Sequence, residues 1–384
     1  MPEGHSIHRI ALQFRRNFVE HRCAASSPQG RFAAGAAELD GRQLVASSAV
    51  GKHLLLEFEG ERILHVHLGL YGAWDFAGEV SADPTFTSAN GRMGQTNQRG
   101  TALAPAGAGT PPSGLAAERA GIVEDSTGLR AGVLEEAPAA LLAVAAEGLR
   151  ERNLKVDALP ETSLASIGAP RRTRLRMSES DREVGEEQGG DFPPPPVGQV
   201  RLRLLTETAV ADLRGPTACE VFDPQQVEKL LAKLGPDPMH DASRKAENRF
   251  VERVMKSATP IGLQLMDQSV VAGIGNVYRA ELLFRARLNP HAPGKSIPEA
   301  ALRRLWKDWA HLLAVGVETG QMMTRDDLKT EEDYRRAMAS RDERHYVYKR
   351  TGQKSPRGRG TVVMEEMGGR NLYWAPGWQT RPGA

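Results

Sequence analysis

Strand-like runs near the start, helical spacing further on and a chain too long for one core predict a multidomain α+β protein. At ~100–200 residues per domain, 384 residues make two or three domains. Short alternating apolar runs crowd the first 76 residues, and helical periodicity takes over from about Pro224. Hydrophobic residues make up 40% of the chain, enough for real cores, while 39 glycines and 24 prolines mark many turns.

The elements follow in order. Ile7, Ile10, Ala11 and Phe14 fall on one face of a helix over 5–16. An apolar strand over His53–Phe58 follows a Gly-Lys pair, and Ile63–Leu70 alternates before a tight turn flanked by Gly69 and Gly72. Residues 77–196 lose this patterning. They are rich in small and polar residues, with an Ala/Leu-rich helix expected at 135–150, five arginines against five acidic residues in 171–187, and an extended bridge at Pro193–Pro196. So long a stretch with so little pattern is expected to be partly mobile. Val200, Leu202 and Leu204 then alternate with Arg201 and Arg203, the pattern of a half-buried strand. Ala246, Phe250 and Val254 share one helix face; Leu302, Leu305, Trp306, Trp309, Leu312 and Leu313 share another. Ser296 and Glu299 are placed to cap that last helix.

Composition excludes several classes. Two cysteines, Cys23 and Cys219, rule out a disulfide scaffold and an all-cysteine zinc finger. No run approaches the ~20 apolar residues of a membrane span, and the polar start, Met-Pro-Glu-Gly-His-Ser, has no signal-peptide core. A cytoplasmic protein is expected. Net charge is only +2, but nine Lys/Arg against four Asp/Glu from Arg341 onward make a local basic excess suited to phosphate.

Three places carry chemistry. With Met1 removed, Pro2 presents a secondary amine that can add to a masked sugar aldehyde and form an iminium ion, an electron sink for base loss and elimination. An α-amine has a reference pKa near ~7.7–8, so free base exists at neutral pH. Glu3, next in the chain, is placed to move protons, and Lys52 to contact a phosphate or donate a proton. The stretch Leu265–Phe284 reads as helix, a turn at Gly273-Ile-Gly275, and a second helix from Asn276. Its glycines permit close approach to a phosphate, free N–H groups at the second helix can hold one, and Asn276 is either a side-chain donor or a cap.

These pieces resemble the formamidopyrimidine-DNA glycosylase and endonuclease VIII family. The resemblance rests on Met1-Pro-Glu-Gly4, Gly51-Lys-His53, Leu68-Gly-Leu-Tyr-Gly72, Leu213-Arg-Gly-Pro-Thr217, Leu234-Gly-Pro-Asp-Pro238, Leu265–Phe284 and Arg370-Asn-Leu-Tyr-Trp374. It implies an N-terminal antiparallel β-sandwich, a helix–two-turn–helix domain and a small β-hairpin finger, with units at 2–223 (carrying 77–196 as an insertion), 224–340 and 341–380. It also implies that Pro2 is the nucleophile, Glu3 the proton-transfer acid and Lys52 the lysine of the N-terminal domain. Asn276 would hold phosphate, Glu281 would be the acidic residue of the second helix, and Arg370 the finger arginine gripping the phosphate beside the lesion. Leu70 and Tyr71 match the loop that fills the space left by a flipped nucleotide. An apolar and aromatic pair there resembles the endonuclease VIII branch, of actinobacterial type, and stacking at an opened base step is physically reasonable.

The chain departs from the family at the finger. The four positions that usually carry zinc-binding cysteines are Ser355, Gly358, Ala375 and Trp378. A zincless finger packed by Trp374 and Trp378 is expected, with no metal and no cofactor. His65 and His67 share a strand face and are expected to be core or DNA-facing rather than metal ligands. The expected function is a bifunctional glycosylase and abasic-site lyase acting on oxidised pyrimidines in double-stranded DNA. Such a protein is expected to be a monomer associated with the nucleoid during repair. Oxidised purines as substrate, and a non-catalytic or weakly active damaged-DNA-binding paralogue, are the alternatives.

Overall fold

The computed structural model describes residues 2–80, 165–169 and 192–380. Helix α1 (Gly4–Asn17) opens the chain. Ile7, Ile10 and Phe14 are at most 1% exposed, each such burial stabilising the fold by roughly 1.5–3 kcal/mol. Phe14 meets Trp74 edge-on at 4.8 Å and lies within 5.4 Å of Phe18 and Phe76.

Among the described residues, nine antiparallel strands form the sandwich that packs on this helix. They are β1 (Arg22–Ser26), β2 (Arg42–Val50), β3 (His53–Phe58), β4 (Arg62–His67), β5 (Ala73–Gly78), β6 (Ala165–Gly168), β7 (Val200–Leu205), β8 (Ala209–Arg214) and β9 (Ala218–Phe222). A short helix, α2 (Ala33–Leu39), links β1 to β2. Hydrogen bonding runs in the order β6-β5-β8-β7-β1-β2-β3-β4-β9. Between β1 and β2 it is reduced to two residue pairs, Arg22 with Gln43 and Cys23 with Arg42. The two halves fold over at that corner and share one core, with Leu54, Leu56 and Leu64 from one side and Leu202, Leu204 and Leu213 from the other.

One expectation changes here. Arg203 was expected to face water, but it is buried and makes two 2.8 Å bonds to Asp212 on β8, while Pro194 O accepts a third. The bridge at 192–197 covers that face of β7, so a charge there has to be paired. The stretch 77–196 also contributes structure: β6 pairs with β5 from Ala73↔Gly168 to Phe76↔Ala165. The helix expected at 135–150 lies outside the described residues, as do the rest of 81–164 and all of 170–191.

The second unit is helical. Its elements are α3 (Pro224–Lys233), α4 (Arg244–Met255), the single turn α5 (Ile261–Gln264), α6 (Asn276–Arg285) and α7 (Glu299–Thr319). Asp223 and Gln226 form a reciprocal cap at the start of α3, with Pro224 in its first turn. Phe250, Val254, Leu282, Leu302, Leu305, Trp309 and Leu313 pack together. The cap expected for α7 is absent. Ser296 sits in a preceding 3-10 turn and donates to Pro293 O, Pro298 occupies the cap position, and Glu299 reaches forward to Arg303. Nor is 265–272 a helix. After α5 the chain turns repeatedly, stapled by Gln268, whose side chain donates to Ile274 O and accepts from Gly273 N.

Helices α8 (Glu331–Ala339) and α9 (Arg341–Arg344) lead to the third unit, a hairpin of β10 (Val363–Glu366) and β11 (Asn371–Trp374). Tyr346, Val347, Val362, Tyr373 and Ala375 pack here against Ala280 and Phe284 of α6. No described helix is long and apolar enough to cross a membrane.

Candidate functional site

The N-terminus threads between the sandwich and the helices. Gly4 N donates to Gly273 O at 2.9 Å, and the Cα atoms of Gly4 and Gly51 both lie 3.6 Å from where a Cβ on Gly273 would stand. Three backbones therefore meet, with the Trp309 ring packed at the same spot. Asp237, fully buried, fastens the same junction. Its Oδ2 accepts from His8 and from Gly51 N at 2.8 and 2.6 Å, and its Oδ1 accepts from Met239 N. Burial works to raise its pKa, but His8 and these backbone donors bring it below the usual carboxylate range.

Pro2 is buried at this junction. Glu3 beside it is fully buried, and its carboxylate occupies the N-terminus of α6. It accepts from Gly275 N at 3.1 Å, Val277 N at 2.9 Å and Tyr278 N at 3.3 Å. A Cβ on Gly275 would collide with the Glu3 side chain, so glycine is what lets the carboxylate seat. These are the amides expected to hold a phosphate. They are already satisfied by an acid from the opposite end of the chain, the partner a helix N-terminus favours. Asn276 is likewise not the cap, a position held by Gly275; its Nδ2 donates to Asn371 O at 2.8 Å.

Lys52 sits in the β2–β3 turn and donates to Ile274 O at 2.6 Å. It is not a solvated surface lysine: burial lowers its pKa to about 8, with Glu3 raising it and Arg370 lowering it further. Arg370 lies exposed at the tip of the β10–β11 hairpin, close enough for its charge to act on Lys52 and on Arg279. The structure thus brings Pro2, Glu3, Lys52, Asn276 and Arg370 to one junction. Leu70 and Tyr71 protrude from a loop closed by Gly72 N on Leu68 O, and are 45% and 40% exposed. They are not a buried hairpin pair; solvent is an unusual place for two large apolar neighbours.

Glu281 lies elsewhere on α6, buried, and holds the finger. Its two oxygens accept from Tyr346 N, Val347 N and Tyr348 N at 2.7–2.9 Å and from the Thr324 hydroxyl at 2.7 Å. Neither Asp237 nor Arg279 was singled out from sequence. The only signal for Arg279 is its spacing of three from Asn276, which puts both on one helix face.

The former zinc positions do not fit the metal. Their one candidate donor, the Ser355 hydroxyl, is engaged with Arg357 O. Gly358 lies against Trp378, Ala375 is buried, and the Trp378 indole donates to Phe284 O at 3.0 Å beneath the Arg287 guanidinium at 4.6 Å. Tetrahedral zinc needs sulfur, nitrogen or carboxylate ligands, and packing takes their place. Trp374 does not join this core; its ring meets His291 of the helical unit at 5.6 Å. Chelator treatment is accordingly expected to leave melting temperature and DNA cleavage unchanged. Stoichiometric zinc by metal analysis, with folding lost on chelation, would refute this.

His65 and His67 belong to a larger set than sequence suggested. His53 Nδ1 and His65 Nε2 lie 2.9 Å apart, His65 Nδ1 is 3.3 Å from Glu220, and the His53 and His67 rings are 5.0 Å apart. Burial lowers all three pKa values, that of His53 to about 3. The His53 and His65 rings stack, His67 is tilted against His53, and burial disfavours a charge on each. Among the described residues no group of three or more His, Cys, Asp or Glu is placed to hold a metal.

The family model for the formamidopyrimidine-DNA glycosylase N-terminal domain matches residues 1–102, and that for the glycosylase's H2TH domain matches 234–327. The chain is 32% identical over 381 residues to an Endonuclease 8 of Mycobacterium tuberculosis, covering 99% of this chain and 100% of that one. A formamidopyrimidine-DNA glycosylase of Thermus thermophilus is 35% identical over 147 residues, 38% of this chain and 54% of that one. Among solved structures, the Lactococcus lactis Fpg in complex with abasic-site DNA matches with a TM-score of 0.58 at 15% identity, over 99% of this chain and 100% of the other. The MutM (Fpg) protein of Thermus thermophilus matches with a TM-score of 0.56 at 19% identity, over 99% of each chain. The fold is thus shared at low identity, while full-length identity and the two domains in order place this chain in the formamidopyrimidine-DNA glycosylase and endonuclease VIII family.

Proposed function

We propose that this protein is a bifunctional DNA glycosylase and abasic-site lyase that excises oxidised pyrimidines from double-stranded DNA. The observation that carries this is the convergence of Pro2, Glu3 and Lys52 at one junction, within reach of the Arg370 charge. The reading keeps three units, 2–223, 224–340 and 341–380, and a monomer acting at the nucleoid.

In this reading the damaged nucleotide leaves the helix stack, and Leu70 and Tyr71 fill the space behind it. The Pro2 nitrogen, freed of Met1, adds to the sugar C1′ as the base departs. The nitrogen then loses its proton and its lone pair expels O4′, breaking the C1′–O4′ bond to give an iminium; this withdraws electrons, so a proton can leave C2′ and the 3′ phosphate is eliminated. Glu3 exchanges protons with the sugar oxygen through the lone pairs its three amide bonds leave open. Asn276 and Arg370 hold the phosphate beside the lesion; such contacts fix register rather than read sequence. Lys52, half-neutral at about pH 8, supplies a proton or a charge to the leaving group or phosphate.

The test is single-turnover excision on duplexes carrying thymine glycol or 8-oxoguanine. Thymine glycol is expected to be released faster; the reverse order makes this an oxidised-purine enzyme, and release of neither makes it a damage binder. Because Lys52 loses its proton as pH rises through about 8, excision is expected to fall over that range. Lys52→Gln should be slower at every pH and lack that limb. A limb that persists unchanged in the variant assigns it to another group.

A further inference from the structure

We propose that Arg279 is a positioning residue that locks the Asn276 amide and the turn bearing Arg370 into one phosphate-holding unit without touching DNA itself. The inference rests on the reading that Asn276 and Arg370 hold a phosphate.

Arg279 stands one turn after Asn276 on α6 and is fully buried. Its Nη2 donates to Asn276 Oδ1 at 2.6 Å and to Asn371 O at 3.3 Å; its Nη1 donates to Met367 O at 3.3 Å and Gly262 O at 3.4 Å. The carbonyls of Met367 and Asn371 bracket the hairpin tip, Met367-Gly-Gly-Arg370, which closes on itself through Met367 N to Arg370 O at 2.9 Å. Gly368 and Gly369 both have positive φ, +62° and +70°. A turn of two glycines has little stiffness of its own, so the brace beneath it sets where Arg370 points.

The same cation fixes the second half of the clamp. With Oδ1 facing Arg279 and Nδ2 held by Asn371 O and by the Tyr348 hydroxyl, the Asn276 amide cannot flip. A guanidinium suits this task because its donors form a rigid planar fork; a lysine is a point charge and could satisfy only part of the set.

Stability alone is a poor reason for the residue. All its hydrogen-bond partners among the described residues are neutral oxygens, and its Nε is buried with none. Burial, and then Arg370, lower its pKa to about 10, while Glu3 raises it. An apolar side chain of similar volume would usually fill such a site at less cost. What the cation adds is a fixed relation between α6 and the finger, where no metal stiffens the hairpin.

The test is a binding titration on an abasic-analogue duplex across a salt series, with single-turnover excision and thermal melting, for Arg279→Ala, Arg279→Lys, Arg370→Ala and the Arg279→Ala/Arg370→Ala double variant. Arg370→Ala is expected to lower the salt slope by about one phosphate. Arg279→Ala and Arg279→Lys should lower it equally, although Arg279 is buried, and slow excision about 10²-fold by misplacement. The double variant should be no worse than Arg370→Ala, because both substitutions remove one interaction. Additive losses, or a Lys variant that behaves as the parent, overturn the inference. If the Ala variant fails to fold, the Lys variant carries the comparison. If Arg370→Ala lowers the slope and Arg279→Lys does not, this inference alone falls. If neither Arg370→Ala nor Asn276→Ala changes binding, the phosphate-holding reading falls and this inference with it.

Discussion

Protein whose Pro2 nitrogen is blocked, by retained Met1 or an N-terminal tag, is expected to give no covalent complex when mixed with abasic DNA and borohydride. Borohydride reduces an iminium to a stable amine, so trapping reports the intermediate directly. An amide nitrogen has no free lone pair to add to the sugar, and the loss should be complete rather than partial. Active protein should be lighter by one methionine. The buried Lys52 is the alternative amine, since a pKa near 8 leaves part of it as free base. Trapping that survives a blocked terminus but is lost in Lys52→Gln would move the nucleophile there; equal trapping in both would remove the two together.

Glu3→Gln is expected to cut base excision by roughly 10²-fold or more, the range of general acid–base catalysis, while binding to an abasic analogue stays within a few fold. The isosteric amide cannot move the proton. It also sets an NH2 against one of the three N–H donors that now meet a carboxylate oxygen. A melting loss on the order of 1–3 kcal/mol is therefore expected beside the kinetic one. Comparison with Glu3→Asp separates the two: a shorter acid keeps a proton to exchange but loosens the amide bonds. If Glu3→Gln excises at the parent rate, or loses binding before it loses excision, Glu3 is a structural anchor for the N-terminus and the chemistry belongs elsewhere.

Local regularity was legible in the sequence wherever one period governs burial. The helix over 5–16, the strand over His53–Phe58 and the helix bearing Leu302 to Leu313 appear where apolar spacing places them. Expectations failed where a remote partner competes with local chemistry. Ser296 had the composition of a cap, but the chain entered α7 through Pro298. The amides of α6 looked free because nothing near them in sequence accepts a hydrogen bond; their acceptor, Glu3, is more than 270 positions away. Arg203 looked outward by alternation, and became buried because a segment nine residues upstream covers it.

What the sequence by itself determined is the set of chemical groups and the family resemblance: a proline at position 2, an adjacent acid, an apolar and aromatic pair between glycines, an arginine in a basic glycine-broken stretch, and no cysteine at the four positions where the family usually holds zinc. Those are properties of residue type and short spacing, which survive without coordinates. Only the tertiary structure decided which groups act on one another. Desolvation of Lys52, capture of the α6 amides by Glu3, the grip of Glu281 on three finger amides and the bracing of the hairpin by Arg279 all arise between segments distant in the chain. Burial and charge proximity depend on how packed surfaces meet, and no local period encodes that meeting.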